Sequence, residues 1–236
     1  MKPSDLRLHR HIAALNAAFA DAGLRTVLQL GPESYRQATA GIPGYHIYSP
    51  LDDQFKQMQG GDMLWVGVED RRGRLLAIEA GRLVLAPAKQ GGLNRIINDR
   101  VFGYALPVLS RLPPVNLTGR LAYLGGAWTA PKLRGRGIMS LLVKLTAAHL
   151  VRSYGIEAVF GFVRSSHAGL ALAADGYGFT SATTVDLMYL PGESQAETLC
   201  MVWTDPGALV ERWRADPVYR IVKSAERRRK GLAPTR

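Results

Sequence analysis

Cysteine is almost absent from these 236 residues, with Cys200 standing alone. No intrachain disulfide can form, and no thiolate cluster can hold a metal. The five histidines are scattered. His9 and His11 sit two apart, which points them to different faces of a helix, so no metal site is expected. No run of about 18 apolar residues occurs, and no membrane-spanning helix is expected. The opening "MKPSDLRLHRH" lacks the apolar segment of a secretory signal, so the expected location is cytoplasmic. Acidic residues are few, 19 against 30 Lys and Arg, which leaves a net charge of +11. Charge of that sign invites a nucleic-acid partner, but it is unevenly placed. From Arg212 to Arg236 there are nine basic and two acidic residues, ending in "ERRRKGLAPTR". Such a run is usually a solvated helix end or an arm. Removal of the chain from Arg227 onward is expected to leave the fold intact, because the run offers few apolar anchors. A truncated protein without a cooperative thermal transition would contradict this.

What is present suffices for an ordinary core: 47% of the residues are hydrophobic and 21% charged. Leu8, Ile12, Leu15 and Phe19 fall at helical spacing before Gly23, which predicts an amphipathic opening helix. "LRTVLQL" reads as a strand, and brief helical pieces follow at "PESYRQAT" and "PLDDQFKQM", separated by the breaker-rich "GIPGYHIYSP". "MLWVGVED", the turn "RRGR" and "LLAIEAGRLVLAP" make a hairpin. A long connection from about 88 to 118 holds a helix in "LNRIINDRVFGYALPVL". Connections of that length are uncommon unless they serve a function. "RLAYLGGAWTA" is the next strand, and a helix follows with an apolar stripe of Ile138, Leu141, Leu142, Leu145 and Ala148. "IEAVFGFV" is a buried strand. "SSHAGLALAADGYGF" is a short helix, capped by Ser165 or Ser166 and stopped at Gly176. "TSATTVDLMYL" and "AETLCMVWTD" supply the last strands, and a helix capped by Asp205 leads into the basic tail. The interleaving predicts an α+β (α/β mixed) fold around a mixed sheet.

"PKLRGRGIMSLLVKL", Pro131 to Leu145, carries the most direct chemical signal. A helix start leaves backbone N–H groups unpaired and carries partial positive charge. Glycines there let an anion approach the backbone, and Arg134 and Arg136 add charge-assisted donors. The stretch is neither a Walker loop nor a dinucleotide fingerprint, since no Gly-Lys-Ser/Thr, third glycine or downstream acidic residue follows. A basic turn before a surface helix would look the same.

"TAPKLRGRGIMSLLVKLTAAHL" resembles the pyrophosphate loop of the GNAT acyl-CoA N-acyltransferase superfamily. That loop reads Gln/Arg-x-x-Gly-x-Gly/Ala after a strand and usually after a proline. Arg134, Gly137 and Pro131 match, while Met139 departs from the small last position. "HAGLALAADGYGF" resembles the family's second motif, and the element order from Leu24 to Asp205 follows the family's order. The resemblance implies a mostly antiparallel sheet, flanked by helices and splayed between its fourth and fifth strands. It divides the chain into an N-terminal helical extension (1–23), an acyltransferase domain (24–205) with an insertion at about 88–118, and a C-terminal helix and tail (206–236).

The same resemblance implies acetyl-CoA or another acyl-CoA as co-substrate and no metal. It assigns the pantetheine arm to the strand edge at Ala127, Trp128 and Thr129. It assigns the pyrophosphate to Arg134, Gly135, Arg136, Gly137, Met139 and Ser140, and puts His167 beside the thiol end. Many members use a tyrosine five residues before the Phe of Gly-Phe as the acid, and here that position is Ala174. Tyr177 and His167 are the substitutes, each also open to a packing role. Glu79 interrupts the apolar "LLAIEAGRLVL" on the face of Ala77 and Gly81. There it is either a base with a raised pKa or an exposed residue paired with Arg82 or Arg74. The acceptor is an amine of open identity: a small amine, a polyamine, a protein terminus or a tRNA-linked amine. Arg95, Arg100 and Arg111 against Asp99 in the insertion would suit an acidic acceptor, or an acyl carrier protein bringing a longer chain. A non-catalytic CoA-sensing or nucleic-acid-binding module on the same fold is the alternative, with the basic tail as its contact.

Overall fold

The computed structural model describes residues 3–47, 49–52, 61–102, 113–186 and 198–214. Helix α1 (Pro3–Asp21) buries Leu8, Ile12, Leu15 and Phe19 and ends before Gly23 at φ 74°. Strand β1 (Arg25–Leu30) and helix α2 (Pro32–Thr39) follow. Strands β2 (Met63–Glu69) and β3 (Leu75–Ala86) form the expected hairpin. Asp70 closes its turn by accepting from the backbone N–H groups of Arg72 and Arg74. Beyond β3 come α3 (Gly92–Ile96) and a π-helical turn at Ile97–Phe102. The rest of the expected helix in this connection, and most of "PLDDQFKQM", lie outside the described residues.

Strand β4 (Gly119–Thr129), helix α4 (Ile138–Tyr154), strand β5 (Ala158–Arg164), helix α5 (Ala168–Leu172), strands β6 (Ser181–Asp186) and β7 (Thr198–Thr204), and helix α6 (Pro206–Arg214) complete the order. Asp205 caps α6, its Oδ1 accepting from the Ala208 N–H at 2.8 Å. The strands form one sheet in the order β1-β2-β3-β4-β5-β7-β6. All neighbours are antiparallel except β4 and β5, whose parallel pairing requires the α4 crossover. The sheet is thus mixed and mostly antiparallel, as expected.

The splay has a local cause. β4 and β5 pair only from Leu121↔Ala158 to Leu124↔Gly161. Just past that point β4 bulges: the two steps from Ile78 to Ala80 on β3 face three on β4, from Trp128 to Gly125. Gly126 takes φ 68° there. An extra residue in one strand bends it, and β4 curls away from β5. The bend depends on the missing side chain, because a Cβ on Gly126 would lie 2.1 Å from the Tyr35 hydroxyl. Gly126→Ala combines that clash with an unfavourable backbone and is expected to cost about 2–4 kcal/mol. Urea denaturation with an unchanged midpoint would contradict this.

Two apolar clusters cover the two faces. One holds α1, α4 and residues such as Leu64, Val66 and Ala77; the other holds Tyr35, Trp65, Ile78, Ile97, Phe102 and Phe160. Within α4, Ile138, Leu142, Leu145 and Ala148 are buried as expected, and Leu141 is half-buried. Lys144, Thr146 and Ala147 are buried too, because α1 packs on the helix. The insertion is fastened to the second face. The buried Arg82 guanidinium donates to the Arg100 and Val101 carbonyls, and Phe102 packs at a tilt against Phe162, ring centroids 5.2 Å apart.

The second motif folds differently from expectation. Helix α5 stops at Leu172 rather than Gly176, since the chain turns back with Gly176 and Gly178 donating to the Ala173 carbonyl. Neither Ser165 nor Ser166 caps it. His167 holds that position, and the Ser165 hydroxyl donates to the Thr198 carbonyl at 2.9 Å.

Among the described residues no helix is long and apolar enough to cross a membrane, and no group of three or more metal-binding side chains assembles.

Candidate functional site

The mouth of α4 sits at the end of β4. Pro131–Leu133 make a single 3₁₀ turn and Arg134 is extended. Gly135 (φ 72°) and Gly137 (φ 73°) then take the left-handed region, which a side chain disfavours. A Cβ at either would meet nothing within 4 Å, so the loop backbone is open to a ligand. Gly137 is the N-cap and offers no side-chain acceptor. The first intrahelical bond runs from Leu141 to the Gly137 carbonyl, so the amides of Ile138, Met139 and Ser140 precede the helical ladder. Arg134 Nε donates to the Thr129 carbonyl at 3.1 Å and ties the loop to the end of β4, while Arg136 is exposed. Met139 is half-buried against the core and Ser140 is buried.

Ala127, Trp128 and Thr129 lie beyond the last β4–β5 pair. On one side Trp128 and Thr129 pair with Ile78 and Ala77; on the other, β5 no longer follows. Ala127 is exposed, and Trp128 and Thr129 are half-buried. Among the described residues, a strand edge free of a pairing strand therefore runs straight into the Gly/Arg turn.

Glu79 stands opposite the bulge between Gly125 and Trp128. It is 3% exposed, and its Oε2 has no hydrogen-bond partner among the described residues. Neither expected ion pair forms: Arg74 binds Asp70 at 2.6 Å, and Arg82 serves the insertion carbonyls. Burial pushes the Glu79 carboxyl well above its ordinary range. Tyr177, half-buried, is pushed up to about 12, by desolvation first and then by the charge of Glu79. Tyr35 is also held well above the usual phenol range, by burial, by Tyr45 and, to a smaller extent, by Glu79. Glu79 thus acts on both phenols, although Tyr177 packs against the α4-side cluster and Tyr35 belongs to the other. His167 lies on an exposed turn after β5. At Ala174 the backbone carbonyl accepts from Lys144 Nζ at 2.8 Å, which fixes this segment to α4.

Two residues escaped the sequence reading. The hydroxyl of Tyr45, after α2, donates to the Gly126 carbonyl at 2.6 Å, and the Tyr35 hydroxyl on α2 donates in turn to that of Tyr45, with the same carbonyl oxygen 3.3 Å away. The adjacent glycines in "LGGAW" were the available signal, since paired glycines inside a strand mark a bulge or a close approach.

No family model matches the chain, and no curated protein matches it. Solved structures do. Arabidopsis thaliana NAA60 in complex with acetyl-CoA is 16% identical, with a TM-score of 0.48 over 77% of this chain and 99% of that one. A spermidine N-acetyltransferase variant from Vibrio cholerae is 9% identical, with a TM-score of 0.45 over 79% and 97%. The ribosomal-protein-S18-alanine N-acetyltransferase from Escherichia coli is 16% identical, with a TM-score of 0.44 over 76% and 93%.

Proposed function

We propose that this chain is an acyl-CoA-dependent N-acyltransferase, transferring first of all an acetyl group to an amine. One observation carries the reading: the free edge of β4 is continuous with an open Gly/Arg turn at the start of a 17-residue helix. A ligand that pairs with a strand and ends in phosphates fits that continuity. Arg134, Gly135, Arg136, Gly137, Met139 and Ser140 would hold the pyrophosphate, through amides and two guanidinium groups. Ala127, Trp128 and Thr129 would pair with the pantetheine amides. The functional domain on this reading is 24–205 with its insertion at about 88–118, flanked by the 1–23 extension and the 206–236 tail.

In the reaction the amine nitrogen forms a bond to the thioester carbon, and the carbon–sulfur bond breaks with its electron pair on sulfur. The Glu79 carboxylate, through water, takes the proton lost by the ammonium. Tyr177 stays protonated at neutral pH and has a proton for the thiolate; His167, on the solvent side, is the other candidate. Thiolate is a fair leaving group, so loss of the acid should cost only about 10²-fold. Accordingly Tyr177→Phe is expected to slow turnover less than Glu79→Gln, with acyl-CoA affinity nearly unchanged in both. The reverse order in steady-state thiol release would exchange their roles.

Arg95 and Arg100, with Arg111 outside the described residues, would favour an acidic acceptor or an acyl carrier protein as donor. The test is thiol release from acetyl-CoA with a panel of amines. Turnover with at least one supports the enzyme. Tight CoA binding without release for any amine favours the non-catalytic sensing module that Ala174 permits.

A further inference from the structure

The tyrosine pair on the bulge has a consequence for the reacting carbonyl. Gly126 departs from the regular ladder at φ 68°, and its carbonyl oxygen receives the Tyr45 phenol, which accepts in turn from the Tyr35 phenol. Tyr35 is 0% exposed, packed edge-on against Tyr45 and tilted on Trp65 with ring centroids 6.5 Å apart in each case. Trp65 in turn donates to the Ser34 hydroxyl at 2.9 Å. Both phenols belong to the segment from α2 to Tyr45, so a chain of two hydroxyls from one side of the sheet ends on one peptide group. The described peptide bonds are all trans. In a trans peptide the N–H lies opposite the C=O, so the Ala127 N–H faces away from the tyrosines. Hydrogen bonds accepted by a carbonyl polarise the whole amide and strengthen its N–H as a donor.

We propose that Tyr35 and Tyr45 are positioning residues for acyl transfer. Their hydrogen-bond chain, from Tyr35 to Tyr45 to the Gly126 carbonyl, fixes and polarises the Gly126–Ala127 peptide, so that the Ala127 N–H is presented to the thioester oxygen. The proposal rests on the acyl-CoA reading above. Neither phenol need touch the substrate, and neither donates a proton in the reaction. A lone phenol would satisfy the carbonyl. A second, wholly buried phenol that donates to the first holds its hydroxyl in place and strengthens it as a donor, and preorganised donors are where catalytic electrostatics are largest.

The experiment uses Tyr35→Phe, Tyr45→Phe and the double variant in the full chain, each checked for a parent-like thermal transition. Acetyl-CoA affinity is measured by calorimetry, turnover by thiol release, and carbonyl polarisation by infrared difference spectra of bound acetyl-CoA carrying ¹³C at the thioester carbon. In the parent the bound carbonyl band should lie below its frequency in solution. Each single variant should keep acetyl-CoA affinity within about twofold and lose several-fold in kcat, and the double should lose about tenfold or more, the scale of a lost hydrogen bond. The band should move back toward its solution value in step. Tyr45 is only half-buried, so Tyr45→Phe keeps the test available if Tyr35→Phe fails to fold. Unchanged kcat and an unmoved band in a folded variant that binds acetyl-CoA overturn the tyrosine proposal alone. A parent that does not bind acetyl-CoA overturns the acyl-CoA reading and this proposal with it.

Discussion

Gly137→Trp is expected to abolish measurable acetyl-CoA binding. Gly137 is the N-cap of α4 at φ 73°, and the space where its side chain would project is empty for 4 Å. An indole fills the volume through which phosphates would reach the amides of Ile138, Met139 and Ser140. It also forces a bulky residue into the left-handed region, at a cost of roughly 1–2 kcal/mol. That strain falls on an exposed loop, and the α4 core of Leu142, Leu145 and Ala148 lies beyond its reach, so the protein should still fold. Loss of the amide contacts should weaken binding by more than about 100-fold, the equivalent of about 2.7 kcal/mol. Arg134→Ala with Arg136→Ala removes charge without strain. It should weaken binding less, and more strongly at low ionic strength, because exposed charges are screened. Calorimetry with unchanged affinity in Gly137→Trp would remove the phosphate assignment.

Glu79→Gln should lower turnover by on the order of 10²-fold or more, the range for a general base, with acyl-CoA affinity nearly unchanged. Its pH behaviour is distinctive. The carboxyl is raised above its ordinary 4.5 by burial, and the base is the ionised form, so parent turnover should rise with pH well above the usual carboxylate range. That rise should be absent in Glu79→Gln. Stability should move the opposite way. Between the unfolded and folded pKa values the folded chain holds a proton that the unfolded chain has lost, so stability falls as pH rises through that window. The penalty is absent below about 4.5 and complete above the raised folded value. Glu79→Gln should therefore gain stability over the parent at pH about 8 and little or none at pH about 4. Parent-like activity at every pH would take Glu79 out of the mechanism. An unchanged stability difference across the range would take the buried charge out as well.

What could be read from the sequence was local. Alternation in "LLAIEAGRLVL" set Glu79 off from Ile78 and Ala80, and that strand forms. The glycine–arginine alternation before Ile138 identified the open helix mouth, because positive φ and missing side chains are properties of the residues themselves. The depth of Glu79 was not readable. Whether a carboxylate on a half-apolar strand is exposed or buried depends on what covers it, and here α1 lies on α4 and adds a layer to that side of the sheet. The tyrosine pair was equally hidden. Tyr35 and Gly126 are 91 residues apart, and only the bulge turns the Gly126 carbonyl toward α2. The end of α5 was misplaced for a related reason: Gly176 does not stop a helix there but lets the chain fold back, with Tyr177 N–H donating to the Leu170 carbonyl.

The most direct test of an acyl-CoA site compares two thioesters that differ only in the phosphate-bearing half. Acetyl-CoA and S-acetylpantetheine present the same acyl group and the same amide arm to the edge of β4; only the first can occupy the Arg134–Ser140 turn. Titrated calorimetrically into the full chain, acetyl-CoA should bind at least about 100-fold more tightly, and Gly137→Trp should erase the difference. Equal affinity for the two thioesters, or no binding of either, would contradict the account.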